Sequence, residues 1–483
     1  MSDRVAKVAD MTVRQALGFY FGHNHFRLNQ EVIVNQILAG RDVCAILPTG
    51  AGKSICYQLP ALMLAGTTLV VSPLISLMRD QVRQLQNRGL SAEALTSGQT
   101  KMVQNKVLAQ FSSGRLKILY VSPERLTQPQ FLSVCQKVNI SLVVIDEAHC
   151  ISQWGHDFRP EYGQIAQFIQ SLSQRPTVVA FTATATKKVE QDLISNLQLT
   201  NPFVLRASVV RSNLAIQISQ TDSTNWRMIY LLRLLQHLAP AKVIVYCQTR
   251  RTTRQLATLI DSLAPDLNPL AYHAGLSAQD RRQVEDTFHH HRTGVICATT
   301  AFGMGIDLPD IRAVIHYGLP ASIEQYYQEI GRAGRDGLRS ATYLLTHPGD
   351  TEIITAINQS DSPQVTQLNQ RRLSALTAMI NSPRCRMGQI AQYFGEKQVA
   401  DCGKCDRCVK KMLTSSGLMF LTSETERQIL IHLLNKRGEL TDKQLCWLAV
   451  TQPRSEQALC HITGFSQVLS NQLWPIVRSF MVK

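Results

Sequence analysis

Short apolar runs rich in β-branched residues alternate with amphipathic helical patterns along the first two-thirds of the chain. Buried strands joined by helices are typical of parallel sheets that are covered on both faces. The series stops at an irregular stretch near Ala207–Asn213 and then restarts. The pattern therefore predicts an α/β fold with two lobes in tandem, each of about 150–200 residues.

Ten apolar runs fit strands in this scheme. The five of the first lobe are Val43–Leu47, Thr68–Ser72, Ile118–Ser122, Leu142–Asp146 and Thr177–Thr182. The five of the second lobe are Val243–Cys247, Leu270–His273, Val295–Ala298, Ala313–Tyr317 and Ser340–Leu345.

Beyond the second series the pattern becomes helical, and four closely spaced cysteines follow. We therefore expect two α/β lobes, a helical metal-binding subdomain and a short tail. Their predicted bounds are 1–206, 207–346, 347–412 and 413–483.

The charge balance favours a polyanionic partner. Lysine and arginine number 50 against 35 aspartate and glutamate, a formal net charge of +15. Such an excess is typical of proteins that bind nucleic acid or an anionic membrane. No apolar stretch approaches the ~18 residues of a spanning helix, and the N-terminus lacks the apolar core of a signal peptide. We expect a cytoplasmic protein without a membrane partner.

A phosphate-binding loop is predicted where the first strand run meets a helical pattern. Glycines at 50 and 52 let successive backbone N–H groups turn toward phosphate oxygens. Lys53 supplies a charge to the β- and γ-phosphates, and Ser54 can ligate Mg²⁺. The motif core is Thr49, Gly50, Ala51, Gly52, Lys53 and Ser54. The alternative is an ordinary helix N-terminus capped by Ser54.

Two adjacent carboxylates follow an apolar strand run in the same lobe, within the tetrad that ends at His149. Ligands bind at the carboxyl ends of strands in open α/β sheets. We expect Asp146 to hold Mg²⁺ and Glu147 to orient or deprotonate the attacking water. The alternative is a pair of helix-capping carboxylates.

Two arginines in the second lobe, Arg332 and Arg335, are spaced to project from one helix start. Guanidinium groups fork around phosphate oxygens and can stabilise charge in the transition state of phosphoryl transfer. The alternative is that both arginines lie on a solvated surface without a function. The upstream segment 303–307 favours the functional interpretation.

The cysteine cluster predicts a structural zinc site. The short CxxC spacing lets sulfurs meet one tetrahedral ion, and four protein ligands leave no open position. The alternative is a set of reduced surface cysteines. The ligands would be Cys385, Cys402, Cys405 and Cys408.

Taken in order, these motifs resemble those of superfamily 2 helicases. The resemblance includes the phosphate loop, the DEAH tetrad, Phe181–Thr186, Ala301–Asp307 and Gln328–Arg335. The segment Ile151–Tyr162 is similar to the aromatic-rich loop of RecQ DNA helicases, and the cysteine cluster to the zinc subdomain of that family. The resemblance covers about residues 14–410.

The resemblance implies two RecA-like lobes and a 3′-to-5′ DNA helicase that uses ATP and Mg²⁺. Arg335 would be the arginine finger, and Arg332 would support the γ-phosphate. Arg27 and Gln30 would read adenine. The residues that sense single-stranded DNA and couple it to hydrolysis would be Trp154, His156, Phe158 and Arg159.

The adenine motif departs from the family pattern. The family sequence Phe-Arg-Pro-Gly-Gln is replaced by Phe26-Arg-Leu-Asn-Gln30, and His23 stands where an aromatic normally stacks on the base. Imidazole offers a smaller stacking surface. We therefore expect a change in adenine selectivity or nucleotide affinity.

The tail resembles a shortened winged helix around Leu469–Phe480, with a shortened HRDC helical domain as the alternative. The resemblance implies single-stranded and branched DNA as partners, a single-stranded-DNA-binding protein as a further partner, a monomer, and a place at the nucleoid in a bacterium. Two rival functions remain. One is an RNA helicase, and the other is a DNA-binding repair scaffold with an ATP-regulated clamp.

Overall fold

A computed structural model describes residues 11–96, 98–155, 157–221, 224–303, 308–397, 399–409, 448, 453, 455–461 and 466–481. The described residues separate into two compact units. The first runs to Val210 and takes in residues 390–399, and the second is built from 211–303, 308–389 and the described residues from 400 onward. The bounds of the four predicted domains stay predictions.

The first unit contains a seven-stranded, fully parallel sheet. Its spatial order is β3-β4-β2-β5-β6-β1-β7. The strands are β1 (Val43–Ile46), β2 (Thr67–Val71), β3 (Ala92–Leu95), β4 (Ile118–Val121), β5 (Ile140–Ile145), β6 (Thr177–Thr182) and β7 (Phe203–Arg206).

Helices connect these strands, as parallel pairing requires. The α-helices are Val13–Phe21, Gln30–Leu38, Lys53–Met63, Ile75–Asn87, Lys101–Ser112, Pro129–Cys135, Ile165–Gln170 and Lys187–Asn196. Short 3₁₀ turns span Pro123–Arg125, Ala148–Ile151 and Pro160–Gln164.

Alternate residues of a strand face opposite sides of the sheet, and both sides of this sheet are apolar. Val43 and Ala45 of β1 lie in one core, whereas Cys44 and Ile46 lie in the other. This explains the continuous apolar runs of the sequence, because each strand is buried on both faces.

The second unit contains a six-stranded parallel sheet with the order β10-β11-β9-β12-β13-β8. Its strands are β8 (Leu214–Gln220), β9 (Lys242–Cys247), β10 (Pro269–Tyr272), β11 (Gly294–Ala298), β12 (Ile311–Tyr317) and β13 (Ser340–Thr346).

Some described helices of this unit pack on the sheet, and others follow it toward the cysteine-bearing region. They are Thr224–Leu238, Arg250–Leu263, Ala278–His290, Ile323–Ile330, Asp350–Ile357, Pro363–Asn381, Glu456–Cys460 and Gln467–Met481, with a 3₁₀ turn at Pro265–Leu267. The helix Arg386–Tyr393 begins in this unit and ends in the first.

The predicted α/β architecture with two parallel sheets is confirmed. All ten predicted strands are present, with ends within two residues of the prediction, and β3, β7 and β8 were missed. Most of the predicted tail, 413–483, lies outside the described residues, so its type stays a prediction. Among the helices that the structure describes, none combines the length and apolarity that crossing a membrane requires.

Candidate functional site

Three neighbouring strands end at the same edge of the first sheet and bring three motifs together. The phosphate loop follows β1, Asp146 follows β5, and Thr182 ends β6, which lies between them. Parallel strands present their carboxyl ends on one side, where ligands bind in open α/β sheets. The sheet order therefore places motifs that are far apart in sequence around one position.

The phosphate loop adopts the backbone geometry that its glycines permit. Gly50 and Gly52 have φ of 81° and 76°, in the left-handed region. Gly52 directly precedes the helix Lys53–Met63. A Cβ at Gly52 would lie 2.5 Å from Gln30 Nε2, so any side chain there would have to displace Gln30. The N–H groups at this helix start are suited to an anion such as a phosphate.

Arg27 and Gln30 hold the phosphate loop by its carbonyl oxygens. Arg27 donates to the Gly50 carbonyl at 2.9 Å. Gln30 Nε2 donates to the carbonyls of Ala51 and Gly52 at 3.2 and 2.9 Å, while its Oε1 accepts from the Arg27 N–H. Sequence reasoning did not find these bonds, because they depend on tertiary packing. Adenine recognition by these residues stays a prediction, and the nearby His23 is exposed.

The acidic pair of the DEAH tetrad lies beside Lys53. Lys53 Nζ is 3.8 Å from Glu147 Oε1, and both side chains are largely buried. Burial, together with the adjacent Glu147 carboxylate, raises the pKa of Asp146 to about 6. A nearby cation such as Mg²⁺ would favour the charged carboxylate. Burial, followed by the charges of Tyr120 and Asp146, raises the pKa of the Tyr57 hydroxyl, whereas a hydrogen bond with Ser54, the other predicted magnesium ligand, lowers it.

His149 links the DEAH tetrad to the end of β6. Its Nδ1 lies 3.3 Å from Glu147 Oε2 and 3.0 Å from Thr182 Oγ1. The imidazole is 2% exposed, so it can hardly exchange these partners for water. Thr182 Oγ1 also accepts from the Thr184 N–H. A shift of Glu147 would therefore be transmitted through His149 to Thr182 and the segment that follows β6. The sequence motifs contain these residues but do not predict the contacts between them.

Tyr162 anchors the turn that carries the two carboxylates. Its fully buried ring places the hydroxyl so that it donates to the Asp146 carbonyl at 3.1 Å. The Arg159 N–H donates to the Cys150 carbonyl at 2.9 Å. These two bonds tie the end of the aromatic-rich loop to its beginning. Sequence reasoning assigned Tyr162 to the loop but missed this anchoring contact.

Two aromatic side chains of the loop stay accessible. Trp154 is 39% exposed and Phe158 42%. Arg159 donates from Nε and Nη2 to Asp157 Oδ2 at 3.2 and 3.1 Å. His156, the remaining predicted DNA-coupling residue, lies outside the described residues.

Arg332 and Arg335 lie in the second unit, in the turn directly after the helix Ile323–Ile330. The prediction that they project from a helix start was wrong, because the helix ends at Ile330 before either arginine. Arg332 is 9% exposed and its Nη1 donates to the Gly303 carbonyl. Gly303 has φ of 108°, and a Cβ there would lie 2.5 Å from the Arg332 guanidinium. Arg211 donates to the carbonyls of Ala333 and Gly334, so the arginine-bearing turn is held in place from a second side.

The four predicted metal ligands converge. All four sulfurs lie within 4.8 Å of one another, and three pairs are separated by 3.5 to 3.9 Å. Sulfurs around a tetrahedral zinc at about 2.3 Å would be about 3.8 Å apart. Backbone N–H groups of Arg386 and Cys402 donate to sulfurs of the cluster, as is usual around thiolate ligands. The donor set and its spacing thus fit zinc.

A buried ion pair supports this cluster from the side. Arg386, 1% exposed, donates from Nη2 to Asp406 Oδ2 at 2.9 Å. Its Nη1 donates to the carbonyls of Ile380 and Ser382. The Asp406 N–H in turn donates to the Ile216 carbonyl of β8. The cysteine-bearing segment is therefore bonded to both the preceding helix and the edge of the second sheet.

Three family profiles match consecutive parts of the chain. DEAD/DEAH box helicase matches residues 27–192, and the helicase conserved C-terminal domain matches 226–337. The RecQ zinc-binding family matches 348–409, which contains all four cysteines of the cluster.

Full-length relatives agree with the profiles. The probable ATP-dependent DNA helicase RecS of Bacillus subtilis is 46% identical over 72% of this chain and 70% of that protein. The chain belongs to the RecQ family of helicases. The ATP-dependent DNA helicase RecQ of Pasteurella multocida is 40% identical over 84% of this chain. The chain spans 64% of the length of that RecQ protein.

Solved structures share the fold of this RecQ-family chain. The DEAD-box helicase Mss116, solved with single-stranded RNA and UDP-BeF, has a TM-score of 0.63 and covers 95% of this chain and 88% of its own. Its sequence identity is 16%. At this identity the likeness concerns the fold alone.

Proposed function

We propose that the chain is an ATP-dependent DNA helicase that moves 3′ to 5′ along single-stranded DNA and separates duplex or branched DNA in recombination and repair. The observation that carries the proposal is the clustering of Lys53, Glu147, His149 and Thr182 at one sheet edge. The aromatic-rich loop starts directly after that cluster. RecQ-family relatives that carry the name DNA helicase support DNA over RNA.

The first unit supplies the nucleotide chemistry in this proposal. Lys53 would move from Glu147 to the β- and γ-phosphates when ATP binds, which frees the carboxylate to orient the attacking water. Mg²⁺, held by Ser54 and Asp146, would neutralise charge on the phosphates. Arg332 and Arg335 would add positive charge at the γ-phosphate, as the family resemblance implies.

The loop that carries Trp154, Phe158 and Arg159 would report DNA binding to the hydrolysis site. Aromatic rings with an exposed face stack on bases without sequence preference. Tyr162 and Arg159 bond the loop to the backbone at Asp146 and Cys150. A change in loop conformation on DNA binding would therefore shift the carboxylates of Asp146 and Glu147. Basic residues, which give the chain a net charge of +15, would bind DNA phosphates. The affinity for DNA should then fall steeply as the salt concentration rises.

Zinc would have a structural role. Four thiolates leave no open coordination position, so the ion would stabilise the segment between Cys385 and Cys408 rather than take part in hydrolysis. A single-stranded-DNA-binding protein as partner, the monomeric state and the cytoplasmic or nucleoid location stay predictions.

The proposal is tested by the ATPase rate at increasing concentrations of single-stranded DNA, single-stranded RNA of the same sequence, or neither. A rate that rises and saturates with DNA alone is the expected result. Stimulation by RNA in preference to DNA would favour the RNA helicase. A rate near zero with DNA, accompanied by ATP-dependent DNA binding, would favour the clamp-like scaffold.

A further inference from the structure

A lysine outside the motifs named above covers one face of Trp154, the tryptophan of the aromatic-rich loop. Lys188 Nζ lies 3.0 Å from the centroid of the Trp154 ring. An ammonium over an indole face is attracted by the negative potential of the ring. A base could not stack on the same face while the ammonium occupies it.

A second contact from the same helix fastens the loop one turn further on. Asp192 Oδ2 accepts from the Ser152 hydroxyl at 2.5 Å, and Ser152 Oγ accepts from the Trp154 N–H at 3.1 Å. Ser152 is fully buried. Residues 188 and 192 are four apart and therefore lie on one face of the helix Lys187–Asn196. The loop is thus fastened at the Trp154 ring by Lys188 and at the Ser152 side chain by Asp192.

The helix that carries Lys188 and Asp192 is capped at its N-terminus and packed into the core of the first unit. Thr186 caps its N-terminus through a bond from the Val189 N–H, and Val189 and Leu193 are buried in the core of the first unit. Thr186 also ends the segment that starts at Thr182, the partner of His149. This helix and the hydrolysis site are therefore joined by one short stretch of chain.

We propose that Lys188 is a positioning residue that holds the aromatic-rich loop in its DNA-free conformation by occupying the Trp154 face that a DNA base takes. This inference rests on the proposed function. When a base stacks on Trp154, Lys188 leaves the ring, and its ammonium becomes available to a DNA phosphate. The Lys188–Trp154 contact exists only in the DNA-free state, so it stabilises that state relative to the DNA-bound one. The lysine thereby restrains hydrolysis in the absence of DNA.

The test compares Lys188→Ala with Lys187→Ala. Both changes remove one exposed lysine charge from the first turn of the same helix, and alanine is well tolerated there. Lys187 lies beside Glu190 rather than beside the tryptophan. The measured quantity is the ATPase rate without DNA and at saturating single-stranded DNA.

Lys188→Ala should raise the DNA-free rate about two- to fivefold, the range that loss of an exposed cation–π contact permits, with the saturated rate unchanged. Lys187→Ala should match the wild type. In a Trp154→Ala background, Lys188→Ala should have no further effect. Equal DNA-free rates for the two lysine variants, or an increase that persists without Trp154, would overturn the inference.

Failure of the underlying function would look different. A wild-type ATPase that does not respond to single-stranded DNA would overturn the proposed function and the role of Lys188 with it. A wild-type rate that DNA stimulates, with no change in the DNA-free rate of Lys188→Ala, would overturn the role of Lys188 alone.

Discussion

Lys53 Nζ lies 3.8 Å from Glu147 Oε1, so the lysine of the phosphate loop contacts the carboxylate that would activate water. The two charges compensate each other in a largely buried position. In the proposed mechanism, phosphate would take over the lysine, and the carboxylate would become available as an acceptor for a water proton. The proposed exchange would keep Glu147 paired with Lys53 until nucleotide binds.

Replacing Glu147 by glutamine should leave ATP binding intact and reduce the DNA-stimulated ATPase about 100-fold or more, because general bases typically contribute 10²–10⁴-fold. Equilibrium ATP binding and steady-state turnover measure the two effects separately. Glu352→Gln makes the same change at an exposed site and should retain the wild-type rate. A Glu147→Gln rate within about threefold of the wild type would contradict the assignment.

Replacing Cys405 by serine should remove zinc and destabilise the segment around the cluster, because binding free energy at structural zinc sites is largely folding free energy. Metal analysis of the purified protein should give about one zinc per chain for the wild type and much less for the variant. Limited proteolysis should cut the variant faster between residues 385 and 409. Cys460→Ser, a partly exposed cysteine outside the cluster, should keep its zinc. A zinc-free wild type with full activity would refute the site.

His273 should make the stability of the protein depend on pH. The ring is 1% exposed, Arg254 Nε donates to its Nε2 at 3.0 Å, and burial followed by the charges of Arg254 and Arg250 lowers its pKa. His273 therefore binds a proton more readily in the unfolded chain than in the native protein below pH about 6.5, so its contribution to stability falls as the pH drops through this range, by at most about 1.4 kcal/mol per pH unit.

Urea unfolding at pH 7.5 and 5.5 measures this effect. His273→Gln retains an acceptor for Arg254 but cannot be protonated, so it should lose less stability at pH 5.5 than the wild type does. His237→Gln, whose ring is exposed, is the control. Equal losses for the wild type and His273→Gln would show that His273 does not contribute.

The sequence predicted strands best where both faces are buried, as in β6, whose bounds Thr177–Thr182 match the prediction. Its short length and β-branched residues favour a strand over a buried helix. It missed β3, whose Ala-Glu-Ala-Leu sequence lacks β-branched residues. It also missed β7 and β8, which lie at sheet edges. Every residue of β7 is at least partly exposed, and β8 mixes buried with partly exposed positions. Edge strands carry a weaker apolar signal because only part of their surface is covered.

Motif spacing predicted the residues of the candidate site better than their contacts. Lys53 and Glu147 were expected at one sheet edge and are found together there. The bonds of Gln30 to the phosphate loop and the Lys188–Trp154 contact could not be predicted. They join residues whose distance depends on how helices pack on the sheet, for which no local sequence pattern exists.

Replacing Trp154 by alanine should leave folding and ATP affinity unchanged but weaken the response to single-stranded DNA by about tenfold, since one base stack contributes ~1–3 kcal/mol. The ATPase rate as a function of DNA concentration shows the effect. Phe19→Ala removes an exposed aromatic ring elsewhere in the same unit and should behave like the wild type. If Trp154→Ala reached half-maximal ATPase stimulation at the wild-type DNA concentration and the same maximal rate, the Trp154 ring would have a packing role alone.

Strand separation on a duplex with a 3′ single-stranded tail tests the central claim most directly. The account predicts that the wild type separates the strands with ATP and Mg²⁺, leaves them paired without ATP, and prefers the 3′ tail to a 5′ tail. Glu147→Gln should bind the same DNA and separate nothing. Bound duplex that stays paired while the wild type hydrolyses ATP, or separation that proceeds equally with Glu147→Gln, would contradict the account.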